Sequence, residues 1–272
     1  MSFRKLIPEP VKVPVREARR RWRLLKRSWA NARSAFRPDE FIYRLEIGRF
    51  GRFEVAYRKG TADEEVIGHS FDRDIFFVGA PEYRPEPNHV ILDVGAHIGT
   101  FSLLAASRVP QGKIYAVEAS HETFNYLWVN IALNRAANID ASHLALSDKK
   151  GTAVLHYDEG NWGHTIMKAL SPHGEEVATD SLASFMQAKG IERLDFIKFN
   201  CEGAEFPILL AAPPEVLQRI RMMLVLYHCD LVDKSSLEAL LARLHESGFK
   251  TSLRNQDANR GWIVADRTGK LG

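Results

Sequence analysis

Val90-Ile91-Leu92-Asp93-Val94-Gly95-Ala96-His97-Ile98-Gly99 is the stretch from which the fold is read. An apolar run meets an acidic residue, glycines stand at both ends of a short turn, and an apolar helical pattern follows over Ile98–Ser107. Strand, glycine turn and helix in that order form the unit at which open α/β sheets bind ligands. Gly95 lets backbone approach a ligand closely, and Gly99 lets the helix pack tightly. The spacing is not Gly-x-Gly-x-x-Gly. A dinucleotide needs a bare helix N-terminus for its pyrophosphate. Asp93 repels such a group and suits a ligand carrying an ammonium and a sulfonium.

Downstream, short apolar runs alternate with helical patterns. The runs are His89–Val94, Lys113–Val117, Ile139–Leu146, Asp195–Phe199 and Met222–Tyr227. The helices are Ile98–Ser107, His121–Leu133, Ser181–Lys189, Ala204–Leu210 and Ser235–Ser247. This alternation predicts a doubly wound, mostly parallel, seven-stranded α/β sheet of Rossmann-like type. Lys250–Arg254 and Gly261–Ala265, joined by a polar loop, read as a closing antiparallel hairpin.

Upstream, Pro81, Pro85 and Pro87 mark a linker at 81–88, and residues 41–80 read as strands, with a hairpin at Phe41–Ile47 and Phe53–Tyr57. Residues 10–37 carry Val15, Ala18, Trp22, Leu25, Trp29, Ala32 and Phe36 on one helical stripe among arginines and lysines. The expected units are a basic amphipathic arm at 1–40, hairpin and linker at 41–88, and a ligand-binding domain at 89–272. The arm holds 12 of the 37 Lys and Arg but only 4 of the 34 Asp and Glu, so the rest of the chain is net acidic and the overall +3 comes from the arm. Its stripe fits docking on the protein's own body or in a homodimer, or contact with a membrane surface; nucleic acid is not expected, because it needs charge without apolar periodicity. With two cysteines, no zinc spacing, no apolar run of membrane length and no signal peptide, a cytoplasmic protein without a metal is expected, peripheral at a membrane if the arm binds one.

The chemistry is expected just beyond the strand ends. Glu118 follows Asp93 by 25 residues, a spacing at which a carboxylate takes both hydroxyls of a ribose. Ser147 and Asp148 end the third strand, where a side chain can read an adenine amino group. Lys198 lies inside an apolar strand and needs a carboxylate partner, and Asn200, Glu202 and Glu205 crowd that strand's end. His228 closes the next strand as a candidate base or substrate contact. Asn161-Trp162-Gly163-His164 is an insertion that either covers the acceptor or is a surface loop. Cys201 and Cys229 read as packing residues.

These motifs together resemble the FkbM family of S-adenosylmethionine-dependent methyltransferases. The matching pieces are Asp93 to Gly99, Val117-Glu118, Ala145 to Asp148, Thr179 to Leu182, Ile197-Lys198, Glu202-Gly203-Ala204-Glu205 and Tyr227-His228, within a resemblance spanning about 66–266. The resemblance implies an O-methyltransferase acting on a hydroxyl of a sugar, glycan or natural product. Expected cofactor contacts are Asp93, Gly95, Ala96, His97, Gly99, Glu118, Ala119, Ser147, Asp148 and Asn200. Lys198, Glu202 and His228 are expected to orient and deprotonate the acceptor.

One position departs from the family. Asn200 stands where members usually carry Asp, two residues before the Glu of the Glu-Gly-Ala-Glu segment. An amide is neither a base nor a good ligand for a hard metal, so proton abstraction falls to Glu202 or His228. Asn200 also keeps open a non-catalytic partner protein of the same fold. A dehydrogenase of similar architecture is the other alternative, and the glycine spacing argues against it.

Overall fold

The computed structural model describes residues 42–48, 51–157, 163–169, 172–232, 235–257 and 259–271. The basic arm, with its stripe at 10–37, and Asn161-Trp162 lie outside the described residues.

The described chain begins with the expected hairpin, β1 (Ile42–Gly48) against β2 (Gly51–Tyr57). The next stretch is not extended. It forms α1 (Asp63–Ile67), a π-helical turn (Gly68–Asp72) and α2 (Ile75–Gly79). Ile67, Phe71, Phe76 and Phe77 are buried, and their spacing near four residues is helical rather than alternating. The expectation of strands over 41–80 therefore holds for the hairpin and not beyond it, where the apolar period is helical.

From Val90 onward strands and helices alternate as expected: β3 (Val90–Val94), α3 (Thr100–Arg108), β4 (Lys113–Glu118), α4 (His121–Leu133) and β5 (Ile139–His143). Then follow β6 (Ala145–Ser147), β7 (Gly151–His156), β8 (Gly174–Ser181), α5 (Leu182–Lys189), β9 (Phe196–Phe199), α6 (Glu205–Ala211), α7 (Pro214–Leu217), β10 (Met222–His228) and α8 (Ser235–Glu246). β11 (Lys250–Arg254) and β12 (Arg260–Asp266) close the described chain.

The main sheet has seven strands in the order β11-β12-β10-β9-β3-β4-β5. β10, β9, β3, β4 and β5 pair in parallel. β12 runs antiparallel between β10 and β11, so the closing hairpin inserts its second strand into the sheet. The predicted third strand divides: β5 stays in the main sheet, whereas β6 joins β8 and β7 in a small three-stranded sheet.

Parallel strands covered on both faces must be apolar throughout, and β9 and most of β10 are buried along their length. The chain winds from β3 outward to β4 and β5, then returns to lay β9 on the other side of β3. That reversal opens a crevice beyond the ends of β3, β4 and β9. Asn130, fully buried on α4, ties the hairpin to this region: it accepts from Ala56 N (2.6 Å) and donates to Ala56 O (3.1 Å) and Ile98 O (2.7 Å). Among the described residues no helix is long and apolar enough to cross a membrane.

Candidate active site

The glycine turn rests on a buried ion pair. Asp93 and Lys198 are register partners on β3 and β9. Lys198 Nζ donates to Asp93 Oδ1 (2.9 Å) and to Gly95 O (2.7 Å), while Ser102 Oγ donates to Asp93 Oδ2 (2.6 Å). Asp93 is fully buried and Lys198 nearly so. A lysine inside an apolar sheet stays only if a carboxylate and further acceptors meet it, and the Phe76 ring lies 5.3 Å from its ammonium. Lys198, expected at the acceptor, lines the cleft but commits its amine to Asp93 and to the carbonyl of Gly95. Asp93 has both oxygens bonded within the protein and does not line the cleft.

The glycines of the turn answer to the protein's own packing. Gly95 has φ +73°, and a Cβ there would stand 1.9 Å from the carbonyl oxygen of Asn200. Gly99 has φ +87° and caps α3, where a Cβ would meet Leu127 Cδ1 at 2.4 Å. Any side chain at either position forces backbone or core to move.

Above the turn lies a cleft of about 900 Å³, open solvent included. Of the residues expected to contact the cofactor, Gly95, Ala96, His97, Glu118, Ala119 and Asn200 line it. Glu118 Oε1 accepts from Ser120 N (2.9 Å) and Oε2 from His97 N (2.8 Å). Burial pushes the Glu118 carboxyl above its usual range, and these two amides oppose the shift. His97 takes a left-handed φ of +54°, with Nε2 3.5 Å from Asp63 Oδ1. Ser147 and Asp148 bond each other at the exposed end of β6 and do not line the cleft; Leu144, Ala145 and Leu146 do, because the chain leaves the main sheet there.

The other end of the cleft is acidic. Glu202 lines it, and its Oε2 is 3.5 Å from His228 Nε2. His228 Nδ1 is 3.2 Å from Glu205 Oε1, which also accepts from His228 N (3.0 Å). Glu205 is fully buried and its Oε2 accepts from Gly203 N (3.0 Å) and Cys201 Sγ (3.3 Å). Burial raises the Glu202 carboxyl above its usual range; the facing His228 lowers it and Glu205 adds to the rise. Burial works to lower His228, but the hydrogen bond to Glu205 and the charge of Glu202 carry it above the ordinary histidine range. Burial, reinforced by Glu205, holds the Cys201 thiol well above its ordinary range, so it is protonated and packs. Cys229 is buried in the main core, which matches its reading as a packing residue.

Several cleft residues escaped the sequence. Val66 and Phe76 come from the helical segment before β3, and Leu155 from β7; Gly163 and His164, from the insertion expected to cover the acceptor or form a surface loop, line the cleft as well. The helical spacing of Ile67, Phe71 and Ile75 was the available signal for the first pair. Nothing local marks Leu155. The carboxylate cluster at Glu202 and Glu205 was legible as a crowded strand end.

Residues 93–251 match the family model of the methyltransferase FkbM domain. The chain is 28% identical over 194 residues to methyltransferase sdnD of Sordaria araneosa, covering 60% of this chain and 74% of that protein. It is 27% identical over 202 residues to the 31-O-demethyl-FK506 methyltransferase FkbM of Streptomyces tacrolimicus, covering 63% and 76%. The crystal structure of methyltransferase FkbM from Methylobacillus flagellatus KT aligns with a TM-score of 0.48 and 13% identity over 70% of this chain and 47% of that one. The family match runs from the acidic residue of the glycine turn through the whole Glu202–His228 cluster, so the chain belongs to the family of FkbM methyltransferase domains, for which S-adenosylmethionine is the implied cofactor.

Proposed function

We propose that this protein transfers a methyl group from S-adenosylmethionine to a hydroxyl of a sugar, glycan or natural product. The observation that carries the reading is one cleft lined at one end by Glu118 and at the other by Glu202.

The residues present fit the cofactor. Each oxygen of the Glu118 carboxylate spends one lone pair on a backbone amide and keeps another for a ribose hydroxyl. Leu144, Ala145, Leu146 and Leu155 offer an apolar wall for a flat ring. When bound, the cofactor supplies a methyl group already activated by its sulfonium. The protein then has to align the acceptor oxygen and take its proton. Glu202 is the carboxylate that reaches the cleft, and its raised affinity for a proton suits a base. His228 stands behind Glu202, anchored by Glu205, and orients it. Lys198 holds Asp93 and Gly95, and with them the turn.

Calorimetry with S-adenosylmethionine tests the cofactor half: binding to the wild type and none to Glu118→Ala is expected, and equal affinity in both sinks the assignment. Isotope-labelled methyl transfer to a panel of hydroxylated sugars, glycans and natural products, read by mass spectrometry, tests the acceptor half. Label appearing only on nitrogen or carbon would overturn it.

A further inference from the structure

Glu202 is gripped from a direction that the strand-end cluster does not explain. Thr165 belongs to the segment between β7 and β8 and has no solvent exposure. Its main chain pairs with His156 (His156 N to Thr165 O 2.8 Å; Thr165 N to His156 O 3.1 Å). Its hydroxyl donates to Glu202 O (2.6 Å) and accepts from Met167 N (3.0 Å). Glu202 itself has φ +52°, a left-handed conformation that a side chain with a Cβ adopts only when its surroundings impose it. At its other end the Glu202 carboxylate packs on Gly163, where a Cβ would come within 2.8 Å of Oε2. The same oxygen faces His228 Nε2 at 3.5 Å. One short segment therefore holds the Glu202 carbonyl through Thr165 and leaves room for its carboxylate at Gly163.

We propose that Thr165 is a positioning residue whose hydroxyl fixes the left-handed main chain of Glu202 and thereby sets its carboxylate against His228. The inference rests on the acceptor-side reading of Glu202 and His228. It makes Thr165 part of the reaction site, although its partner lies 37 residues away in sequence. Thr165→Val keeps shape and removes both the donor to Glu202 O and the acceptor for Met167 N; Thr165→Ser keeps both and removes only a methyl group.

The test is a proton–carbon NMR titration of histidine-labelled protein, with the His228 signal assigned by its loss in His228→Gln. No acceptor is needed. The wild-type His228 midpoint should lie above the ordinary histidine range, and Glu202→Gln should lower it by about 1 pH unit through loss of the facing charge. Thr165→Val should lower it comparably, and Thr165→Ser should keep the wild-type midpoint, all well below each variant's melting temperature. A wild-type midpoint in Thr165→Val alongside a lowered one in Glu202→Gln overturns the inference, as does a Thr165→Ser that behaves like Thr165→Val. No change in Glu202→Gln overturns it too, by removing the Glu202–His228 pairing. The proton-accepting role is judged separately: full methyl transfer by Glu202→Gln ends that role whatever the titration shows.

Discussion

The two glutamates that face the cleft are held in opposite ways. Glu118 is held by main-chain amides of its own strand end and of the neighbouring turn, at His97 and Ser120. Glu202 is held by its neighbours' side chains and packing: Thr165 at its carbonyl, Gly163 at its carboxylate, and His228 opposite, itself tied to Glu205. Backbone donors are fixed by the fold and tolerate substitution of the side chains that carry them. A side-chain cradle depends on each identity. On the proposed reading, the cofactor end should therefore resist change except at Glu118 and the glycines, while the acceptor end should respond to many single substitutions by graded amounts.

The strongest challenge goes beneath both ends. Lys198→Met leaves Asp93 buried without its partner, and a loss of about 3–5 kcal/mol of folding stability is expected from denaturant unfolding. A loss of a few tenths would mean that the turn does not depend on the pair. Next comes Glu118→Ala, which on the proposed reading removes the acceptors for two ribose hydroxyls. At about 1.5–3 kcal/mol for each such hydrogen bond, affinity for S-adenosylmethionine should fall at least ~100-fold in calorimetry. Opposite to it, His228→Asn should lower turnover about 10- to 100-fold, some 1.4–2.7 kcal/mol of barrier, and leave cofactor affinity unchanged. Weakened cofactor binding there would erase the division between the two ends.

The smallest effect is in pH dependence. As the proposed base, Glu202 must be ionised to take a proton, and burial raises its pKa, so turnover should fall with acid along a limb whose midpoint lies above the ordinary glutamate value. The charge of His228 works to lower that midpoint. Replacing His228 by Asn should therefore move the acid limb to higher pH, and pH–rate profiles of the two proteins measure the displacement. A limb that moves down, or stays, would show that His228 does not face Glu202 as a cation.

What the sequence made legible followed local rules. The run Val90 to Gly99, the spacing to Glu118 and the crowded end after Lys198 each lie within one strand and turn. Strands are expected over 41–80, yet Asp63–Gly79 is helical, because its buried residues Ile67, Phe71, Phe76 and Phe77 recur near the helical period. The run Ile139–Leu146 concealed a change of sheet at Leu144, so the expected adenine-reading pair Ser147 and Asp148 sits at an exposed strand end and the cleft receives Leu144, Ala145 and Leu146.

By itself the sequence determined the alternation of strands and helices, the turn that opens the site and the carboxylate beyond the second parallel strand, because apolar period, glycine and spacing act over a few residues. Only the tertiary structure decided which groups meet: Asp93 with Lys198 across 105 residues, His228 with Glu205 across 23, Thr165 with Glu202 across 37. The reason is that strand order and register, not neighbourhood along the chain, bring these groups into one buried volume. There a charge or a donor must find its partner or not be buried at all.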